Sequence, residues 1–175
     1  MNNCFLYNEK GDFLKRVFKV SLIVTLLDQI VKNLLLLFMN FGNSYSIIKG
    51  FFSITLIGNT GAAFSILSSN TFLLIIISII ILNIIYFYFI KNKDLNKLED
   101  ISYGLLIGGI MGNLIDRVCH MQVIDYLDFN IFGYNFPVFN LADIAIVISM
   151  FLITYEIIKG DKNEVSSSKR WYKIR

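Results

Sequence analysis

The fold class predicted by this sequence is an all-α membrane protein built on four transmembrane helices, and three observations carry it. Of the 175 residues, 55% are apolar and only 17% charged, with a mean hydropathy of +0.63, greasier than an ordinary soluble domain. The apolar residues are concentrated in blocks near the ~20 residues that a bilayer core requires. Lysine and arginine gather in some of the connections between the blocks and are scarce in others, the asymmetry expected of a multi-pass chain.

Taken in order, the first span runs Val17–Phe38. It holds Asp28 and Lys32 and lacks a small-residue cleavage site, so it is not a cleavable signal peptide. The second, Thr71–Ile90, is an almost unbroken apolar run. The third, Ile101–Val118, is short and glycine-rich, and the fourth, Leu141–Ile158, follows Pro137, the only proline. Residues 1–160 therefore read as a single four-helix membrane domain without internal repeats. The tail, 161–175, with Ser166, Ser167, Ser168 and scattered charges, reads as disordered and suited to touching anionic lipid heads.

Orientation follows from the basic residues. Lys10, Lys15, Arg16 and Lys19 precede the first span, Lys91, Lys93 and Lys97 fill the second connection, and Lys159, Lys162, Lys169, Arg170, Lys173 and Arg175 follow the fourth. The first connection has only Lys49, and the third has Arg117 at its edge. Both termini are thus expected in the cytoplasm, with connections 39–70 and 119–140 facing outward. Within the first of these, Ser46-Ile47-Ile48 and Phe51 to Ile57 flank a Lys49-Gly50 turn, a β-ribbon signature. The second is rich in aromatics (Tyr126, Phe129, Phe132, Tyr134, Phe136, Phe139), which suit a membrane interface.

Ionisable groups inside a span cost about 2.5–3.5 kcal/mol each at its centre, so each needs a reason. Asp28 and Lys32 lie four apart on one helix face and are expected to form a buried salt bridge that orients the first helix. In the third span, Gly104, Gly108 and Gly112, with Gly109 beside them, make a ridge that admits a neighbouring helix closely. Asn113, Asp116 and Arg117 share a face at the outer end of that span. Taken alone, they fit a helix-end cluster in which Arg117 snorkels and pairs with Asp116. Asn59, Thr60, Asp125, Asn140 and Asp143 fall at the same depth, however, and convergence of so many polar groups calls for chemistry. Asn140 has the position of an N-cap, with Asp143 in the first turn of the fourth helix. Asp128 reads as a surface acid, His120 as a loop residue without a role, and Cys4 and Cys119 as incidental thiols.

The residue inventory excludes most reaction types. One histidine at a loop edge cannot complete a Ser-His-Asp or Cys-His arrangement. Neither HExxH nor CxxC occurs, so neither metal nor other cofactor is expected. A net charge of +3, segregated for membrane orientation, does not point to nucleic acid. What remains is Asp125 and Asp143, two carboxyls able to share one proton, one activating water and the other protonating a carbonyl. Helix-start N–H groups favour charge on Asp143, while the apolar flanks Ile124 and Tyr126 favour the proton on Asp125.

Five blocks then coincide, in order, with a known family. They are Asp28-Gln29-Ile30-Val31-Lys32, Asn59-Thr60-Gly61-Ala62-Ala63-Phe64, Gly108 through Arg117, Val123-Ile124-Asp125, and Phe136 through Asp143. Over nearly its whole length, apart from the first dozen residues and the tail, the chain resembles the lipoprotein signal peptidases (signal peptidase II). The resemblance implies a four-helix bundle with a small extracytoplasmic β-cradle, in the bacterial cytoplasmic (inner) membrane. It implies an aspartic endopeptidase with Asp125 and Asp143 as its catalytic pair. Asn59, Asn113, Arg117 and Asn140 would line the site and hold substrate. Asp116 would orient Arg117 or Asn140, and Asp28, Lys32, Gly61, Ala63, Gly109 and Ala142 would support them. The substrates implied are diacylglyceryl-modified prolipoproteins, cut just before the lipidated cysteine, with membrane lipids around the enzyme. The competing expectations are a small transporter or ion pathway, for which acids should be spread through the membrane depth, and a non-enzymatic scaffold.

Overall fold

In the computed structural model, residues 2–61, 70–90 and 96–171 are described, with side chains from 14 to 159 within them. Among these residues four helices and four strands follow in chain order: α1 (Asn2–Phe38), β1 (Ser44–Ile48), β2 (Phe52–Asn59), α2 (Thr71–Ile84), α3 (Lys97–His120), β3 (Val123–Ile131), β4 (Tyr134–Asn135) and α4 (Leu141–Trp171). α2 widens into a π-helical stretch over Ile85–Ile90. Among the described residues, three segments are long and apolar enough to cross a membrane: Leu14–Phe38, Thr71–Ile90 and Leu141–Lys159. Their outward faces carry exposed large apolar side chains such as Phe18, Leu37, Phe72 and Phe151, a pattern that only a nonaqueous surround makes tolerable.

α3 does not meet that measure, although its 24 residues reach about 36 Å at about 1.5 Å per residue. Its helix is longer than the expected Ile101–Val118 because Asn96 caps it. The Asn96 side chain accepts from Leu98 N and Glu99 N, and Glu99 returns a bond to Asn96 N, a reciprocal capping box. The extension brings Asp100 inside the helix, wholly buried. α4 runs on as helix to Trp171, through much of the tail expected to be without structure. No proline interrupts it, and a lone Gly160 costs only about 1 kcal/mol.

The glycine ridge sets the packing of α3. A Cβ on Gly104 would lie 2.6 Å from Val20 Cβ, and one on Gly108 would lie 2.7 Å from Val24 Cβ. A Cβ on Gly112 would lie 2.5 Å from Asp28 Oδ2, whereas one on Gly109 would meet the Ala142 carbonyl oxygen at 2.5 Å. Three glycines therefore let α1 approach, and the fourth lets α4 approach on another face. The close contact leaves backbone carbonyls within reach: Thr25 Oγ1 donates to Gly108 O, and Gln29 Nε2 to Gly112 O.

At one end of the bundle the strands form a sheet in the order β1-β2-β3-β4, antiparallel throughout. The ribbon expected in the first connection is present, turning at Gly50 with a φ of +76°. β3 was not expected, and in it residues of the second connection pair with β2, Ile57 opposite Asp125 and Asn59 opposite Val123. Phe52, Phe129 and Phe139 stack across the sheet at ring separations of 4.6 and 5.7 Å. Phe139 also bridges to Leu127, which delivers the chain to Asn140 beside β3.

Candidate active site

The site lies where β2, β3 and the C-terminal end of α3 meet the start of α4. Asn140 organises it. Its side-chain oxygen accepts from Asp143 N (2.9 Å), and the Asp143 carboxylate accepts from Asn140 N through Oδ2 (3.2 Å), a capping box with aspartate in the acidic position. The Asn140 amide nitrogen donates to Asp125 Oδ1 at 2.6 Å. One residue thus holds both carboxyls. Asp125 Oδ2 accepts from Asn59 Nδ2 at 3.0 Å, and Asn59 is itself fixed by Gly61 N donating to its oxygen, also at 3.0 Å. Asp143 Oδ1 accepts from Asn113 Nδ2 at 2.7 Å.

Each carboxylate oxygen of the pair therefore receives one neutral N–H, and among the described residues neither acid makes an ion pair. Asp125 is 2% exposed. Burial, and then the nearby charge of Asp143, push its pKa up to about 7, against the opposing bonds from Asn59 and Asn140 and the charge of Lys32. Burial likewise pushes Tyr126 up to about 12; its hydroxyl oxygen accepts from Leu141 N in the first turn of α4.

Beneath the pair lies a closed ionic cluster. Lys32 Nζ stands 2.7 Å from Asp28 Oδ2 and 2.6 Å from Asp116 Oδ2, all three side chains fully buried. The Asp28–Lys32 bridge expected from the spacing is present. The role expected for Asp116 is corrected: instead of orienting Arg117 or Asn140, it accepts from Lys32, from Gln29 Nε2 and from Ile124 N. The residue points into the α1 interface opened by the glycines, where a buried ammonium gives it a better partner than a guanidinium at the rim. Asp28 Oδ1 accepts from Ala142 N, so the cluster also anchors the start of α4.

Arg117 sits half-buried with one Nη2–H donated to Gly61 O at 3.2 Å, while its Nε is buried without a partner among the described residues. Of the residues singled out from the sequence, Asp125, Asp143, Asn59, Asn113, Arg117, Asn140, Asp28, Lys32, Asp116, Gly61 and Ala142 are brought together through these bonds. Gly109 contributes the close approach of α4, and Ala63 lies outside the described residues. His120 and Cys119 are exposed at the end of α3, and Asp128 accepts from Thr55. Gln29, Tyr126 and Thr71 were missed. Thr71 Oγ1 donates to Met121 O, tying the start of α2 to the end of α3. Gln29 was legible as the polar residue beside Asp28, but the other two carry no local signal. Among the described residues no group of three or more His, Cys, Asp or Glu could hold a metal ion.

Residues 20–159 match the family model of signal peptidase (SPase) II. A lipoprotein signal peptidase of Staphylococcus aureus strain MRSA252 is 39% identical over 145 residues, 83% of this chain and 89% of that protein. The protein of the same description from strain JH9 is 38% identical over the same span. Among solved structures, a bacterial membrane enzyme determined by the in meso method at 2.3 Å resolution superposes with a TM-score of 0.78 at 38% identity, covering 84% of this chain and 90% of its own.

Proposed function

This chain belongs to the signal peptidase II family, and from that premise we propose that it is a lipoprotein signal peptidase acting as an aspartic endopeptidase, with Asp125 and Asp143 as its catalytic pair. The observation that carries the reading is the pairing itself: two carboxyls joined through Asn140, held by neutral donors and left without a cation of their own. Coulomb repulsion between them makes a shared single proton the stable state near neutral pH. Burial and the nearby charge of Asp143 raise the pKa of Asp125, which supports giving that proton to Asp125.

In this mechanism the Asp143 carboxylate takes a proton from water as the oxygen attacks the scissile carbonyl carbon, and Asp125 gives its proton to the carbonyl oxygen. Collapse of the tetrahedral intermediate breaks the C–N bond, the leaving amine taking the proton held by Asp143 and Asp125 regaining one from the intermediate's hydroxyl. The unpartnered Nε of Arg117 and its Nη2 contact with Gly61 suit it to hold backbone carbonyls of the substrate. The substrate is a diacylglyceryl-modified prolipoprotein cut before its lipidated cysteine, whose acyl chains lie among membrane lipids.

The same reading makes α3 the fourth crossing helix, central in the bundle and less apolar because it carries the ionic cluster. It puts the sheet outside the cell as a cradle and both termini in the cytoplasm, from the basic residues of the connections. Topology reporters fused after Lys162 and within residues 40–49 are expected to score inside and outside respectively, and the reverse pattern would sink the orientation. The deciding experiment is a gel-shift cleavage assay with purified protein and a diacylglyceryl-modified precursor. Asp125→Asn and Asp143→Asn should each lose at least about 1,000-fold in rate while remaining folded; near-normal turnover by either variant removes the assignment.

A further inference from the structure

Three side-chain amides surround the catalytic pair, and an amide can present either its oxygen or its nitrogen. Two of the three are oriented by backbone groups that only donate. Gly61 N fixes the oxygen of Asn59, and Asp143 N fixes the oxygen of Asn140, so that the NH2 groups of both face Asp125. Asn113 has no such backbone donor. Its oxygen accepts from Lys32 Nζ at 3.2 Å and from Asn140 Nδ2 at 3.1 Å. Asn140 Nδ2 also serves Asp125 Oδ1 at 2.6 Å and Ile124 O at 3.4 Å, so only a shared fraction of that group's capacity reaches Asn113. An ammonium has three donors and no acceptor. Lys32 spends two on Asp28 and Asp116, and the third points to Asn113.

We propose that Lys32 is a positioning residue for the peptidase reaction: its ammonium fixes Asn113 with the oxygen inward and the NH2 toward Asp143, and so sets the placement of that carboxylate. The proposal rests on the assignment of Asp125 and Asp143 above. Asp28 and Asp116 hold the ammonium at its station from two helices, and Ala142 N bonded to Asp28 fixes the cluster relative to the first turn of α4. If Asn113 turned over, its oxygen would face the Asp143 carboxylate and its NH2 the ammonium, two repulsive contacts replacing two favourable ones. The charged and titratable groups around this assembly are Asp28 and Lys32 on α1, Asp116 and Arg117 on α3, Tyr126 on β3, and the catalytic pair itself. Lys32 therefore acts on the pair in two ways, through the amide and through its field.

The test uses the full-length enzyme in lipid with a diacylglyceryl-modified precursor, comparing kcat, KM and the pH–rate profile. In Lys32→Met/Asp28→Asn the cluster keeps its net charge, and the amide oxygen introduced at position 28 can still accept from Ala142 N, a change designed to preserve folding. Its kcat is expected to fall about 100-fold with little change in KM, the size of effect that follows a small misplacement of a reacting group. The pH profile is expected to move alkaline although the cluster keeps its net charge, because Lys32 reaches the pair through Asn113 and its positive field bears on Asp125, whereas Asp28 faces the backbone of Ala142. A folded double variant with wild-type kcat and profile overturns the proposal. If that variant does not fold, Lys32→Met/Asp116→Asn carries the test, since it also removes the ammonium without changing the net charge of the cluster. Its kcat should fall by a similar factor with KM little changed; a wild-type kcat overturns the proposal. Asp125→Asn and Asp143→Asn run alongside. If both are inactive and the Lys32 variants behave as wild type, positioning alone is refuted; if either cleaves normally, the assignment of the pair falls first.

Discussion

Buried charge gathers at both ends of α3, and the two places differ in what they leave undone. At the N-terminal end, Asp100 is fully buried and paired through Oδ2 with Arg16 Nε at 2.6 Å, from a side chain that is 45% exposed. Near the C-terminal end, Asp28 and Asp116 share the enclosed Lys32, and through Asn113 that cluster reaches two further acids held only by amides and backbone N–H groups. Both clusters contain deeply buried charge, so burial does not distinguish them. The distinction is compensation: Asp100 has its cation and a structural role fixing α1 to α3, whereas Asp125 and Asp143 are left without one. Uncompensated carboxyls in contact with a common residue are costly to stability and useful for proton transfer.

The largest expected difference comes from removing each cation. Lys32→Met leaves two enclosed carboxylates and should cost about 3–5 kcal/mol, read as a drop in Tm in detergent. Arg16→Met leaves one acid near a water-accessible edge and should cost distinctly less, with cleavage per folded molecule unchanged. Equal losses would erase the distinction between the two ends. A smaller effect is expected at the glycines that set the helix approach. Gly104→Ala and Gly112→Ala both overpack the α1–α3 interface and should each cost about 1–3 kcal/mol. Only Gly112→Ala presses on Asp28 Oδ2, which Lys32 holds in place, so it alone should also depress kcat. Equal kcat in the two variants would show that the outer cluster tolerates displacement.

Protonation sharpens the comparison further. Folding raises the pKa of Asp125 to about 7, so the native state holds that proton more tightly than the unfolded chain. The resulting stability is complete below about pH 4 and is lost as pH rises through about 7. Wild-type Tm should therefore fall over that window relative to Asp125→Asn, and cleavage should decline above about pH 7 as the acid is lost. A wild-type Tm that rises in parallel with the variant's would sink the protonation scheme. The smallest effect belongs to the N-terminal end: Asn96→Ala removes the cap of α3 and should cost about 1 kcal/mol with no change in cleavage.

The apolar runs were legible because membrane insertion is decided locally: Phe38 ends α1, and Thr71 and Leu141 begin α2 and α4, where the sequence placed those boundaries. The N-terminal boundary of α3 was missed although Asn96 and Glu99 have capping-box spacing, because the hydropathy signal starts later than the helix does. β3 was missed for a different reason. Its residues carry strand character only in the company of β2, whose pairing places Asp125 opposite Ile57 across an intervening 67 residues of chain.

By itself, then, the sequence determined the class of protein, the apolar segments, the Asp28–Lys32 pair, the cap at Asn140, and which polar residues lack a structural excuse. Each of these follows from spacing along one helix or from the energetic cost of a charge in an apolar run. Only the tertiary structure decided that Asp116 turns to Lys32 rather than to Arg117, that Tyr126 reaches the start of α4, and that Asn140 holds both acids at once. Those outcomes depend on how closely glycine lets α1 and α4 approach α3 and on which atoms of an amide face a donor. Both are properties of surfaces brought together by folding, and no spacing along the chain encodes them.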